Sequence, residues 1–243
     1  KGQSAQMIKQ VTVVNRPPIA DFDWSPKPVY EGDEVHLVST SYDPDGDTLT
    51  FYWSIQGPDG YSQTGSSSQI KISGNVTLNR PGTYRVTLRV RDAYGEEASV
   101  TKMIDVRELS VEGYVLHTDD WNENRINYNL KVSGKTDEPR PYEVFWAGER
   151  FVLRAETTLT GTQTRADAVT VYMDGGFSAS LTPNGNFSVW NGELYDRSFD
   201  RLKDGPIRFT FEAHYNNGAV KTDIVTVRIE GNYTDYFRIH RIK

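Results

Sequence analysis

An all-β fold of two tandem antiparallel β-sandwiches is predicted by three features of this sequence. Apolar and polar residues alternate with a period of two, Asn-Gly turns punctuate the alternating runs, and the aromatic content is weighted towards Tyr. Tyr84, Val86, Leu88 and Val90 alternate with Arg85, Thr87, Arg89 and Arg91, and Leu49, Phe51, Trp53 and Ile55 alternate with Thr50, Tyr52 and Ser54. Further on, Ile207, Phe209, Phe211, Ala213 and Tyr215 alternate with Arg208, Thr210, Glu212 and His214. Successive side chains of a strand point to opposite faces, so such runs are half-buried strands of a two-sheet stack. The 14 Tyr and 5 Trp against 3 Met favour strands over helices.

The 243 residues suffice for two sandwiches of roughly 100 to 130 residues each. A hydrophobic share of 37% is low for one large core, which also favours two smaller ones. Residues 1–14 read as the end of a preceding module or a linker, because Met7–Val14 has the pattern of a last strand. The first module is expected over 15–108, the second over 109–230, and a C-terminal extension or linker over 231–243. The chain starts in mid-pattern, so the lack of a signal peptide at Lys1 says nothing about export.

Within the first module, Pro17-Pro18, Pro26 and Pro28 mark an irregular edge. Gly57-Pro58-Asp59-Gly60 and Ser66-Ser67-Ser68 mark loops. In the second, Asn184-Gly185, Asn191-Gly192 and Asn217-Gly218 supply the left-handed backbone of tight hairpins. Asn217-Gly218, between two long alternating runs, is the strongest of these. Asp120 and Glu123 have capping-box spacing, with Trp121, Arg125 and Tyr128 at helical intervals, so a short helix is expected there.

Four features of the first module occur in a recognisable order. They are Asn15-Arg16-Pro17-Pro18-Ile19-Ala20; Glu31-Gly32-Asp33 followed by Ser41-Tyr42-Asp43-Pro44-Asp45-Gly46-Asp47; a strand carrying Trp53; and Pro81-Gly82-Thr83-Tyr84 running on to Val90-Arg91-Asp92-Ala93-Tyr94-Gly95. In these features residues 15–107 resemble a PKD (polycystic kidney disease) domain. The sequence departs from the family after Trp53, where Ser54-Ile55-Gln56-Gly57 stands in place of a frequent Gly-Asp-Gly turn. The resemblance implies an extracellular, immunoglobulin-like sandwich of about seven strands that acts as a spacer, adhesion module or accessory to an enzyme. The second module resembles no family by its motifs.

The resemblance also implies a metal site. In calcium-binding members, positions matching Asn15, Asp43, Asp45 and Asp92 converge at one pole, and the Arg16 carbonyl offers a further oxygen. Calcium takes six to eight hard oxygen ligands in a flexible cage, and Asp43-Pro44-Asp45-Gly46-Asp47 supplies closely spaced carboxylates. The loop is not an EF-hand, since Thr48 and Ser54 fall where that loop needs Gly and an acid. The competing reading is that these acids only cap turns by accepting backbone amides.

Aromatic residues of the second module, Trp121, Tyr128, Trp146, Trp190 and Tyr195, are candidates for a sugar-stacking platform. Packing in the core or under loops is the favoured role for such residues. Asp119, Asp120 and Glu123 beside Trp121 have the makings of a glycosidase acid pair, but a helix N-terminus favours acids electrostatically. His36, His117, His214 and His240 have no metal-ligand spacing, and no Gly-x-Ser-x-Gly elbow or phosphate-binding glycine loop is present. Absence of Cys excludes thiol catalysis, Cys-based zinc sites and disulfides.

A net charge of −6 with no basic stripe argues against nucleic acid. No apolar run approaches the roughly 18 to 20 residues of a membrane span. The sequence is thus read as a non-enzymatic, monomeric, extracellular or cell-surface module with a surface protein or polysaccharide as partner. The alternative is an accessory carbohydrate-binding region of a secreted degradative enzyme. Asn75, Asn186 and Asn232 begin Asn-x-Ser/Thr sequons that carry little weight alone.

Overall fold

The structure is a computed structural model, and it describes residues 14–65, 77–117, 144–158 and 164–232. Most of the predicted Met7–Val14 strand, the Ser66–Ser68 loop, the expected helix near Asp120 and the extension from residue 233 lie outside the described residues. The regular structure is all-β as predicted, with two short 3-10 turns, Pro58–Gly60 and Arg197–Arg201, and no α-helix among the described residues. No described helix is long and apolar enough to cross a membrane. The chain divides into two compact units: one ends at Arg107 and the other begins at Glu108, with Tyr30–Gly32 belonging to the second.

In the first unit, β1 (Phe22–Ser25) pairs antiparallel with β3 (His36–Ser39). The facing sheet has the order β2-β7-β6-β4-β5, formed by Val29–Tyr30, Glu97–Arg107, Gly82–Arg91, Thr50–Gln56 and Ser62–Gly65. The predicted alternation is the observed one: Tyr84, Val86, Leu88 and Val90 are each at most 1% exposed, while Arg85, Arg89 and Arg91 face solvent. Trp53 on β4 meets Phe22 on β1 edge-on, with ring centroids 5.1 Å apart, which joins the two sheets.

This topology sets two turns side by side. Thr50, the first residue of β4, lies opposite Arg91, the last of β6. The turn leading into β4 and the turn leaving β6 therefore share one end of the sheet. A bridge between Ile19 and Tyr42 brings the leading segment to the same region.

The second unit has a four-stranded sheet, β13-β14-β10-β8, and a five-stranded sheet, β12-β11-β15-β16-β9. The first comprises Thr182–Pro183, Val189–Leu194, Phe151–Thr157 and Val111–His117. The second comprises Phe177–Ser180, Ala166–Met173, Gly205–Tyr215, Val220–Asn232 and Val144–Ala147. Phe151 on β10 packs against Phe145, Phe199 and Phe209 at 5.0, 5.7 and 5.0 Å between centroids, so rings from both sheets meet in one core. Truncating such a buried Phe to Ala costs about 3–5 kcal/mol. Gly113 on β8 lies under the Phe211 ring, where any Cβ would clash. Ile207, Phe209, Phe211, Ala213 and Tyr215 are all buried, as their alternation predicts.

Asn217-Gly218 forms the β15–β16 hairpin, with the Gly218 amide donating to the Tyr215 carbonyl at 2.9 Å and φ at 88°. Three expectations need correction. In the turn after Pro183 the left-handed residue is Phe187, with φ of 59°, and not Gly185. Asn191-Gly192 is no turn; it lies within β14, with Asn191 opposite both Arg154 and Thr182. Flanking β-ladders override the local turn preference of that pair. The sandwich is also not wholly antiparallel, because β9 runs parallel to β16. Parallel neighbours need a long connection, and β16 starts more than seventy residues after β9 ends.

Candidate functional site at the acidic pole

The segment 43–47 is folded by its own first side chain. Asp43 Oδ1 accepts the amides of Asp45 at 2.7 Å and Asp47 at 3.3 Å. The Gly46 amide bonds the Asp43 carbonyl at 3.2 Å, and Gly46 takes φ of 82°, a conformation that favours glycine. Asp43 Oδ2 is buried and has no hydrogen-bond partner.

Asp92, just beyond β6, is 5% exposed. Its Oδ1 accepts the amides of Tyr94, Gly95 and Glu96 at 2.9, 2.7 and 2.8 Å, and its Oδ2 accepts Asn15 Nδ2 at 2.6 Å. Burial works to raise the Asp92 pKa, but the Asn15 bond and the three amides outweigh it and hold the carboxyl below its ordinary value.

Asp43, Asp47 and Asp92 each present a carboxylate oxygen, and these oxygens lie within 4.8 Å of one another. Asp47 is raised above the ordinary aspartate value, by loss of solvent first and then by the charges of Asp43, Asp92 and Asp45. Asp45 differs. Its Oδ1 accepts Arg16 Nε at 2.9 Å and a terminal guanidinium nitrogen at 2.6 Å, and its Oδ2 accepts the Arg16 amide at 2.8 Å. The same guanidinium donates to the Pro44 carbonyl at 2.7 Å. Arg16 accordingly lowers the Asp45 pKa and is itself raised.

The structure thus brings Asn15, Asp43 and Asp92 together and turns Asp45 aside to Arg16. Asp47 takes the third carboxylate position. The Asp-x-Asp-x-Asp spacing was the available signal for it, together with an Arg beside Asn15 able to claim one acid.

The aromatic candidates do not form a platform among the described residues. Trp190 is 2% exposed, and its indole N–H reaches Thr157 Oγ1 at 3.2 Å and the Phe187 carbonyl at 3.3 Å; it is a core residue. Its strand neighbours leave it on the inner face, where apolar burial is strongest. Tyr195 is 49% exposed, edge-on to Phe199, with the Arg150 guanidinium 5.5 Å from its ring centre. Trp121, Tyr128 and the Trp146 side chain lie outside the described residues, as do Asp119, Asp120, Glu123, His240, Asn75 and the His117 and Asn232 side chains. His214 is exposed and contacts Glu212 at 2.6 Å.

A family model described as PKD domain matches residues 15–107, the span that holds the whole acidic pole. Residues 15–107 are a PKD domain. No curated protein matches the chain. Among solved structures, one of a 1.5-MDa bacterial ice-binding adhesin is 11% identical, covering 90% of this chain and 66% of that one, with TM-score 0.40. A structure of carbohydrate-binding modules from the β-sandwich superfamily is 16% identical over 90% of this chain and 94% of that one, with TM-score 0.33. The C-terminal domain of the Streptococcus agalactiae AgI/II polypeptide BspA is 10% identical over 88% of this chain and all of that one, with TM-score 0.37. The present chain thus spans just under two thirds of the adhesin chain.

Proposed function

We propose that this chain is a non-catalytic, extracellular structural and adhesive segment, monomeric, whose PKD domain is fastened at its leading end by a calcium ion. A surface protein or a polysaccharide is its partner class. The observation that carries the metal reading is the Asp43 Oδ2 atom, a buried acceptor with no donor, on a residue whose carboxylate clusters with those of Asp47 and Asp92. Buried acceptors are almost always paired, and three crowded carboxylates repel unless a cation or a proton intervenes.

The donor set fits a hard divalent cation. Asp43, Asp47 and Asp92 would hold it through carboxylate oxygens, and a half-turn of the Asn15 amide exchanges its donor for a carbonyl oxygen. Bound calcium would supply positive charge to the cluster and nothing reactive. The residues of the chain do the rest: Asp43 shapes the turn, Asp92 organises the 92–96 turn, and Arg16 holds the leading segment by Asp45. The two attachments of the leading segment, Asn15 and Arg16, are adjacent in sequence and reach different carboxylates.

Calorimetric titration of the intact chain with millimolar calcium tests this reading. Saturable binding, with a melting temperature that rises in calcium and falls in chelator, is the expected result. Absence of binding at millimolar calcium would leave Asp43 and Asp92 as turn caps alone. The adhesive reading is tested separately, by glycan-array and surface-protein binding of the same chain. Binding that requires Tyr195 would favour the carbohydrate-accessory alternative, because Tyr195 is the exposed aromatic among the described candidates.

A further inference from the structure

The three Asn-Gly pairs of the second unit are chemically alike in sequence and unlike in the structure. We propose that Asn184 is a site of spontaneous covalent modification, at which the Gly185 backbone nitrogen closes a succinimide on the Asn184 side chain. The reaction needs a free backbone N–H after the asparagine, an unhindered following residue and a polarised side-chain carbonyl. Asn184 meets all three conditions. The Gly185 amide makes no hydrogen bond among the described residues, and no atom lies within 4 Å of where a Gly185 Cβ would sit. Both residues are exposed. Asn184 Oδ1 accepts the amides of Ser188 at 3.1 Å and Val189 at 3.2 Å. Two backbone donors on that oxygen stabilise negative charge as it develops there, as in an oxyanion hole.

The other two pairs are closed to this chemistry. Asn191 is held in a strand paired on both sides, with β10 and β13, so the backbone rotation that ring closure requires would break those ladders. A Gly192 Cβ position is also crowded by Leu181. At Asn217 the required nucleophile is engaged, because the Gly218 amide donates to the Tyr215 carbonyl at 2.9 Å. The leaving nitrogen is engaged as well, because Asn217 Nδ2 donates to the Glu31 carbonyl at 2.9 Å.

The balance of the step is simple. Gly185 N–H gives its proton to solvent base and forms a bond to Asn184 Cγ. The Cγ–Nδ2 bond breaks and Nδ2 leaves as ammonia. Water then opens the imide at Cγ, giving aspartate, or at the backbone carbonyl, giving isoaspartate with an extra backbone carbon. The net change is asparagine plus water to acid plus ammonia. The isoaspartyl product lengthens the chain between β13 and β14, next to the Pro183–Trp190 pairing. The modification therefore loosens the two-residue edge strand that borders a core tryptophan.

The experiment incubates the folded chain at mildly alkaline pH and follows each Asn-Gly peptide by mass spectrometry and isoaspartyl labelling. Conversion at Asn184 is expected to lead Asn191 and Asn217 by about tenfold, the factor supported by the net strength of one protecting hydrogen bond. In denaturant the three should converge. Gly185→Ala, at a position with open space around it, should slow Asn184 alone. The proposal is overturned if Asn191 or Asn217 converts as fast in the folded chain. It also fails if the product at Asn184 is aspartate without isoaspartate, or if Gly185→Ala leaves the rate unchanged.

Discussion

Asp43 in the PKD domain and Asp196 in the second unit begin turns of the same kind. Each accepts the backbone amide two residues on, at 2.7 Å from Asp45 and 2.8 Å from Ser198. Around Asp196 the capping is complete: Ser198 Oγ adds a bond at 2.6 Å, and these bonds lower the Asp196 pKa. Around Asp43 the capping oxygen is satisfied while the other oxygen is buried and orphaned beside Asp47 and Asp92. The difference teaches that capping a turn occupies only one of an aspartate's two oxygens and leaves the surroundings of the other to the tertiary fold. At Asp43 one oxygen shapes the loop while the other stays buried without a donor.

The largest expected effect separates these two aspartates directly. At calcium about a hundredfold above Kd, mass action stabilises the fold by about 2.7 kcal/mol. Asp43→Asn should remove that increment and Asp196→Asn should retain it, as read by denaturant titration with calcium and with chelator. An equal calcium response in both variants would break the comparison.

A smaller effect concerns the ion-free clamp. Arg16→Ala should lower the melting temperature modestly in chelator, because the pair with Asp45 is exposed and exposed pairs contribute little. The calcium increment should survive this change, since Asp45 is turned to Arg16 rather than to the cluster. Loss of the increment on removing Arg16 would merge the two attachments into one.

The smallest effect is a change in pH dependence. The folded pKa of Asp47 is raised, so its contribution is present below the ordinary aspartate value and lost as pH rises through the folded value. Asp45 and Asp92 are lowered, so theirs is present above the ordinary value and lost as pH falls. In chelator, Asp47→Asn should therefore flatten the loss of stability on the alkaline side of that transition and leave the acid-side loss in place. Thermal scans across the acidic range provide the measurement. An unchanged profile on the alkaline side would mean that Asp47 feels no repulsion from its neighbours.

Much of the pole was legible in the sequence through its family resemblance. Asp43, Asp92 and Asn15 were placed together by the resemblance, and the structure gathers them at one end of the sheet. Asp45 and Asp47 look equivalent along the chain. They become different only when Arg16, 29 residues earlier, takes one of them. Trp190 takes the core role favoured for such rings, with its indole N–H bonded to Thr157 Oγ1 inside the second unit. Adjacent bulky residues such as Val189 and Trp190 announce opposite faces without saying which face is inner.

The sequence by itself determined the strands, the faces they bury and the strongest hairpin at Asn217-Gly218. These rest on a two-residue period and on backbone preferences, which are properties of neighbouring residues. Only the tertiary structure decided that Asn191-Gly192 continues a strand, that β9 runs parallel to β16, and which carboxylate stands beside Asp43. Each of those outcomes depends on a competition between groups far apart in the chain. A hydrogen bond or ion pair from a remote strand outweighs a local preference of similar size, and no local pattern records where that remote strand will lie.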